Sequence, residues 1–407
     1  MKDSGIEWIG EIPDDWNVRR LKQITRCKDG ERIPVDKASR KVGKYPYWGA
    51  GSITDYIDSY IFDEELILLG EDGAPFFDRM RNVAHYVNYK CWINNHIHVL
   101  QTKKNEVDSQ YLTHFLNIVD YRSYINGSII NKLTQSNMGG IDVCYPAYNQ
   151  QLKIANYINA ISTKIDFIKE YAVKNIAKLK EYRQSIITEA VTKGLHDVPM
   201  KDSGIEWIGE IPEAWDVCKV KHIFSERIEE NQNPNAILLS LFAAIGVRPR
   251  SEMEEKGNKA QTIIGYNIVK KGDIVVNKLL AWMGAIGMSN YNGATSPDYD
   301  VYAPISSDVY VPYFHYLFRS ANFKNECFKY ARGIMLMRLR TYPQEFKNIR
   351  IPHPSMDIQK EIAYYLDKKC AAIDKLIAEK KRIIDTLEEY KKSLIYECVT
   401  GKRETPT

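Results

Sequence analysis

The chain writes the same twelve residues twice. KDSGIEWIGEIP occupies residues 2–13 and, letter for letter, residues 201–212. The match continues in register, with Trp16 over Trp215, Val18 over Val217 and Lys22 over Lys221. An identity of this length makes the 407 residues two copies of one plan, and a chain that long is also expected to build two or three separate cores. Downstream, NGSIINKL (126–133) aligns with ARGIMLMRL (331–339), setting Gly127 on Gly333, Lys132 on Arg338 and Leu133 on Leu339. Tyr145-Pro146 then falls on Ile351-Pro352. Between these anchors the residues differ almost throughout, so the frame repeats and its filling does not.

After each filling comes a long amphipathic pattern. Ile154, Ile158, Ile161, Ile165, Ile168, Leu179 and Ile186 recur every three or four residues or multiples of that step in the first copy. Ile362, Leu366, Ile373, Leu376, Ile383, Leu387 and Leu394 do so in the second. Heptad spacing sustained this far predicts two helices of about 40 residues, or roughly 60 Å, whose apolar seams need a partner of equal length. The obvious partner of each is the other. Asn149, and Ser355 with Asp357, supply start signals, and Gly194 and Gly401 stand at the stops. The expected class is therefore α+β: two similar mixed α/β domains separated by an intramolecular antiparallel coiled coil, with pseudo-two-fold symmetry. Expected boundaries are 1–148 for the first domain, 149–193 for its helix, 194–350 for the repeated segment with the second domain, 351–401 for the second helix and 402–407 for a tail.

Within the fillings, SYIFDEELILLG and GYNIVKKGDIVVNKL each read as strand, turn, strand, with turns at Asp63-Glu64 and Gly272-Asp273. CWINNHIHVL and TSPDYDVYAP each read as a further strand, and YLTHFLNIV over YFHYLFRSA as a helix that matches Tyr111 with Tyr313. Basic, amide and aromatic side chains cluster in these fillings. The first offers Lys41, Lys44, Tyr45, Trp48, Arg79, Arg81, Gly127, Lys132, Gln135 and Asn137. The second offers Arg248, Arg250, Lys278, Trp282, Asn292, Arg332, Gly333, Arg338 and Arg340. Lys and Arg neutralise phosphates, while Asn, Gln and Arg read base edges, so these are the candidate DNA contacts. The net charge of +4 is compatible with a polyanion without naming one.

Catalytic signatures are missing. There is no phosphate-binding G-x-x-x-x-G-K-[ST] loop, and SPDY at residues 296–299 lacks the second proline of an amino-methylating tetrapeptide. His96 and His98 share one face of an expected strand but have no third ligand nearby in sequence, so two polar-face histidines are the simpler reading. The seven cysteines are odd in number, scattered and without a C-x-x-C pair, which reads as packed thiols. No stretch suits a membrane span or a secretory leader, so the expected compartment is the cytoplasm.

The doubled KDSGIEWIGEIPxxW opening, the Pro-x(3 to 6)-Gln-x-x-Ile start of each long helix (PAYNQQLKI, PHPSMDIQKEI) and the endings EAVTKGL and ECVTGKR together resemble the specificity subunit of type I restriction-modification enzymes. The resemblance covers nearly the whole chain. It implies two target-recognition domains, each reading one half of a bipartite, asymmetric sequence in double-stranded DNA, and spacer helices that set the gap and dock two methyltransferase subunits. It also implies a chain without catalytic, cofactor or metal sites of its own. S-adenosylmethionine, ATP and magnesium would belong to the methyltransferase subunits and to two restriction subunits. Alternatives are a coiled-coil protein adaptor that does not bind DNA, a self-sufficient DNA enzyme, and an inactive orphan specificity subunit.

Overall fold

The computed structural model describes residues 1–78, 81–126, 131–243, 245–252, 262–333 and 339–405. The chain divides into two compact units, Met1–Val173 with Lys380–Thr407, and Lys174–Glu379. Each long helix therefore contributes to both.

In the first unit the strands are β1 (Asn17–Arg20), β2 (Thr25–Cys27), β3 (Val42–Trp48), β4 (Ile53–Ile57), β5 (Glu65–Gly70), β6 (Ala84–Asn88), β7 (Trp92–Ile93) and β8 (Ile97–Thr102). Helix α1 (Ser109–Leu116), β9 (Ile125–Asn126), β10 (Lys132–Leu133), α2 (Gln135–Gly139), β11 (Asp142–Tyr145) and the long α3 (Tyr148–Lys193) follow. The central sheet is antiparallel with order β2-β8-β5-β6, beside a smaller sheet of order β4-β3-β7. Leu66 to Leu69 of β5 are all fully buried, which is why this strand reads as an unbroken apolar run and occupies a central position.

The second unit repeats the plan. Its strands are β12 (Asp216–Lys219), β13 (Phe224–Glu226), β14 (Leu239–Phe242), β15 (Gly246–Pro249), β16 (Asn267–Val269), β17 (Ile274–Asn277), β18 (Ile286–Met288), β19 (Gly293–Thr295) and β20 (Tyr299–Pro304). Then come α4 (Val311–Arg319), α5 (Ala321–Tyr330), α6 (Pro343–Asn348), β21 (Arg350–His353) and the long α7 (Met356–Val399). Its main sheet has the order β13-β20-β17-β18, strand for strand the order of the first. The α+β class is as expected.

Three local expectations change. Residues 59–62 form no strand; Phe62 makes an isolated bridge to Cys91, and Tyr60 packs on Tyr45. The turn at Gly272-Asp273 does not close a hairpin, because β16 pairs with β19 while β17 lies in the main sheet. The Asp273 carboxylate accepts from the Lys270 amide (2.7 Å) and from Arg227 (2.8 and 3.0 Å), so the turn is fixed by an ion pair instead of a ladder. CWINNHIHVL splits into β7 and β8, since the Asn94 side chain accepts from the Asn95 amide and turns the chain between them.

The sequence alignment of the two copies also shifts. Val18 pairs with Cys144 across β1 and β11, and Val217 pairs with Pro352 across β12 and β21. Cys144 therefore matches Pro352, and Tyr145-Pro146 matches His353-Pro354, two residues beyond the sequence match. Matching on the glycine-containing segments missed this, because strand register is set by backbone bonds and not by those glycines.

Helix α3 has 46 residues and α7 has 44. Inside the first unit, Ile154, Ala155 and Ile158 of α3 share a core with Leu394, Ile395, Cys398 and Val399 of α7. Lys391 reaches Asp166 at 2.9 Å and Lys169 pairs with Glu388, so the segments run antiparallel. Inside the second unit, Ile187, Ala190 and Val191 of α3 meet Ile362, Ala363, Leu366 and Cys370 of α7, with Arg183 at 3.1 Å from Asp374. Ile154, Ile158, Ile165, Ile186, Ile362, Leu366, Ile373 and Leu394 of the expected seam are buried, and Ile161, Leu179 and Leu387 are partly so. Ile168, Leu376 and Ile383 are not: they are 45%, 46% and 49% exposed. Between Ile373 and Leu387 the covered stripe of α7 runs through Ile377, Lys380 and Ile384, steps of four and three that the apolar pattern alone misplaced by one residue. On α3, Lys169, not Ile168, takes the inward position, its stem packed and its charge on Glu388.

The doubled frame has a structural role at the helix ends. Gly194 and Gly401 have φ of +79° and +73°, the left-handed turn that ends a helix. A Cβ on Gly194 would stand 3.2 Å from the Trp215 ring, and one on Gly401 would stand 2.4 Å from Pro13 and 3.2 Å from Trp16. Each copy of the frame therefore lies on the glycine that closes the long helix ending in its own unit. In the first unit, Tyr396 also donates to the Trp8 carbonyl (3.2 Å) and Lys402 to that of Ile9 (2.6 Å).

Candidate nucleic-acid interface

Beyond the C-terminal ends of β5 and β17 the two units carry a short antiparallel pairing at the same place. In the first, β9 pairs with β10, and the Leu133 amide donates to the Glu71 carbonyl at 2.7 Å. In the second, Arg332 and Arg340 exchange backbone bonds of 2.9 Å, and the Thr341 amide donates to the Lys278 carbonyl at 2.9 Å. These bonds equate Lys132 with Arg340. The partner expected from sequence, Arg338, lies outside the described residues, as do Arg79 and Gly127.

Lys132 is exposed, with its ammonium 3.3 Å from Glu71. Arg332 is 74% exposed at its side chain while holding Glu345 at 2.6 Å; Gly333 beside it and Arg340 are exposed as well. Lys41 and Arg81 are exposed, Arg81 at the edge of a cavity of about 610 Å³ lined by Trp8, Phe76, Asn117 and Tyr396. A second basic and aromatic cluster forms on β3, where Lys44 lies over Tyr45 (5.3 Å) and Tyr45 packs on Tyr60 (5.0 Å). Lys90 covers the other ring of this group, 4.7 Å from Tyr60. Neither Tyr60 nor Lys90 stands out in the sequence, because only folding brings residues 45, 60 and 90 together.

Other candidates are committed to the fold. Trp48 is 6% exposed, packed on His85 at 5.0 Å in a core cluster with Leu66, Leu68 and Val99, so its ring is not available to a duplex. Asn137 donates to the Tyr124 carbonyl (2.7 Å), and Gln135 reaches the Cys27 sulfur (3.1 Å) from an exposed position. Arg248 donates to the Tyr291 hydroxyl (2.9 Å), and Arg250 is half-buried, its amide bonded to the Leu238 carbonyl (2.9 Å). Trp282 packs on Phe328 and donates to the Leu279 carbonyl (3.0 Å), while Asn292 is exposed and accepts from the Lys271 amide (2.8 Å).

Beneath each pairing lies an ionic group. His98 pairs with Leu69 across β8 and β5, and Asp300 with Val276 across β20 and β17, so the two occupy the same place in the repeated sheet. His98 is buried at 1% exposure, its Nδ1 2.6 Å from Asp29 and its Nε2 2.8 Å from the Leu133 carbonyl. His96 does not share its face: it lies exposed in the preceding turn, on Asp72 at 2.8 Å. Asp29, Glu71 and His98 bring one ligand atom each within 4.8 Å of one another, a spacing that a metal could use. Arg32 lies on both carboxylates instead (2.6 Å to Glu71, 3.6 Å to Asp29), which gives the cluster its cation from the chain itself.

In the second unit Lys278 holds Asp300 at 3.2 Å and donates to the Pro297 carbonyl at 3.0 Å. Burial pushes the Asp300 carboxyl up to about 6, and Lys278 only partly offsets it. A carboxylate whose folded value lies above its unfolded value of about 3.9 costs stability above the folded value, and the cost disappears as pH falls through about 6 towards 4. The second unit should therefore gain on the order of 2 kcal/mol between about pH 7.5 and pH 4.5 from this group alone. Urea denaturation followed by tryptophan fluorescence should show that gain in the parent chain and lose it in Asp300→Asn.

A family model described as the type I restriction modification DNA specificity domain matches residues 13–175 and 212–389, once in each half of the chain. The chain belongs to the type I restriction-modification specificity family. The type I restriction enzyme MjaVIII specificity subunit of Methanocaldococcus jannaschii is 25% identical over 415 residues, covering 96% of this chain and 93% of that one. Two solved structures share the fold. A chain from work on complex assembly and conformational transition of the type I R-M system superposes with a TM-score of 0.71 at 12% identity, covering 97% of this chain and all of that one. The HsdS subunit of Thermoanaerobacter tengcongensis gives 0.53 at 12% identity, covering 97% and 98%. Among the described residues no helix is long and apolar enough to cross a membrane.

Proposed function

We propose that this chain reads an asymmetric, bipartite sequence in double-stranded DNA, one half-site per unit, as the specificity subunit of a type I restriction-modification enzyme. The observation that carries the reading is the repeated root: one sheet order, one backbone anchor, and Lys132 and Arg340 at the same exposed position amid otherwise unlike residues. A constant support with variable reading residues is what recognition of two different half-sites requires. The long helices dock two methyltransferase subunits, and two restriction subunits complete the assembly. S-adenosylmethionine for adenine N6 methylation, and ATP with magnesium, enter with those partners. This chain contributes recognition and no chemical step.

Co-expression with a cognate methyltransferase subunit, followed by mapping of methylated adenines, tests this directly. Two unlike half-sites separated by an unread gap are expected; methylation without sequence preference, or at one continuous site, would overturn the proposal. In the same complex, Lys132→Ala and Arg340→Ala should each lower the slope of log affinity against log salt by about 1. An adaptor that never touches phosphate would show no such slope to lower.

A further inference from the structure

The ring of His98 faces two acceptors. A carbonyl oxygen cannot donate, so Nε2, 2.8 Å from the Leu133 oxygen, carries a proton. Nδ1 faces the Asp29 carboxylate at 2.6 Å. Burial raises the Asp29 carboxyl, but the bonds from His98 and from the Val99 amide outweigh it and hold Asp29 below its ordinary value, so a carboxylate faces the ring. Both ring nitrogens of His98 are therefore taken up by partners from other parts of the unit. The charged groups packed around it are likewise paired. Asp29 comes from the turn after β2, and Glu71 from the end of β5 with its oxygen 3.9 Å from Nδ1. Arg32 bridges the two carboxylates, and Lys132 lies on the far oxygen of Glu71. Lys28, next in the chain, is taken up by Glu31 and Glu64.

We propose that His98 is a positioning residue for DNA reading by the first unit: its ring, clamped between Asp29 and the Leu133 carbonyl, fixes the strand that carries Lys132. This rests on the reading that Lys132 meets DNA. The clamp is specific to the first unit. At the matching place the second unit has Asp300 on Lys278, and there the Thr341 strand is held by the Lys278 backbone. A side chain that reached only one of the two partners of His98 would leave the other unmet and loosen the hairpin.

The test measures binding of the full chain, in complex with its methyltransferase subunits, to a duplex bearing the mapped target over a range of salt concentrations. His98→Gln, which keeps a donor for Leu133 but gives up Asp29, should bind about tenfold more weakly, as loss of one charge-assisted bond implies, and its salt slope should approach that of Lys132→Ala. His96→Gln, two residues away and exposed on Asp72, should keep the parental affinity and slope. If Lys132→Ala binds as the parent does, the reading of the hairpin fails and the inference falls with it. If Lys132→Ala weakens binding while His98→Gln matches the parent in affinity and slope, the positioning role alone is overturned. Should His98→Gln fail to fold, Asp29→Asn, which weakens the other bond of the ring, is measured instead, and parental affinity and slope there would sink the proposal.

Discussion

Removal of seven residues from each long helix, 172–178 from α3 and 380–386 from α7, should bring the methylated adenines of the two half-sites about three base pairs closer together. Seven residues of helix span about 10.5 Å, and a duplex rises about 3.4 Å per step. Seven is the number to remove because the covered stripe of α7 alternates steps of four and three; deleting a single turn would rotate one part of the seam out of register. The deletions leave Asp166 with Lys391 and Arg183 with Asp374 in place. Methylation of the parental target should fall more than about a hundredfold, since one half-site would then lie out of reach and each lost base pair costs about 1–3 kcal/mol. Sequencing of modified adenines gives the gap directly. A well-folded variant that methylates the parental spacing would show that the helices do not set it.

The next largest effect is expected from Gln151→Leu. Gln151 is fully buried: its carbonyl accepts from the Asp108 amide (2.8 Å), and its amide donates to the carbonyls of Glu106 (3.0 Å) and Pro146 (2.9 Å). Gln359 is its counterpart, accepting from Tyr310 (2.8 Å) and donating to Asp308 (3.2 Å) and Pro354 (2.8 Å). One side chain thus ties the first turn of a long helix to the loop ahead of the domain helix. Leucine fills the space and strands three backbone groups, at about 1–3 kcal/mol each. A loss of about 4 kcal/mol in the first unit is the expected outcome, read from a urea transition in which Gln359→Leu affects the second unit instead. An unchanged midpoint would mean that water replaces these bonds.

That glutamine shows how far the sequence could be read. The Pro-x(3 to 6)-Gln-x-x-Ile pattern is visible as a repeated word, and so are the helix it opens and the glycine that closes it, because propensity and periodicity act over a few residues. The reason for the glutamine was not visible, since its three partners lie in a loop about 45 residues earlier and at Pro146. The same limit applies to the candidate interface. Lys132 stood out beside its glycine, but its true counterpart, Arg340, is fixed by the Thr341 to Lys278 bond between segments distant in the chain. Trp48 looked like a binding aromatic because composition does not distinguish a core ring from a surface one, and only the packing on His85 does. The exposed Ile168, Leu376 and Ile383 have a related cause: apolar residues flank the seam on both sides, and long lysine stems take its inner positions as readily as isoleucine does.

The first unit is assembled from the two extremes of the chain, and that has a consequence during synthesis. Tyr111 donates to the carbonyls of Cys144 (2.9 Å) and Val399 (3.0 Å), whereas its counterpart Tyr313 donates to Val191 (2.9 Å), which precedes it. A ribosome has therefore delivered every residue of 174–379 before the last segment needed by the amino-terminal part appears. The middle of the polypeptide can close while the beginning still waits for its final strip of helix, so maturation proceeds in the reverse of the usual amino-to-carboxyl sequence. A message cut short before codon 380 would yield a nascent product with one finished half and one that stays open to chaperones and proteases.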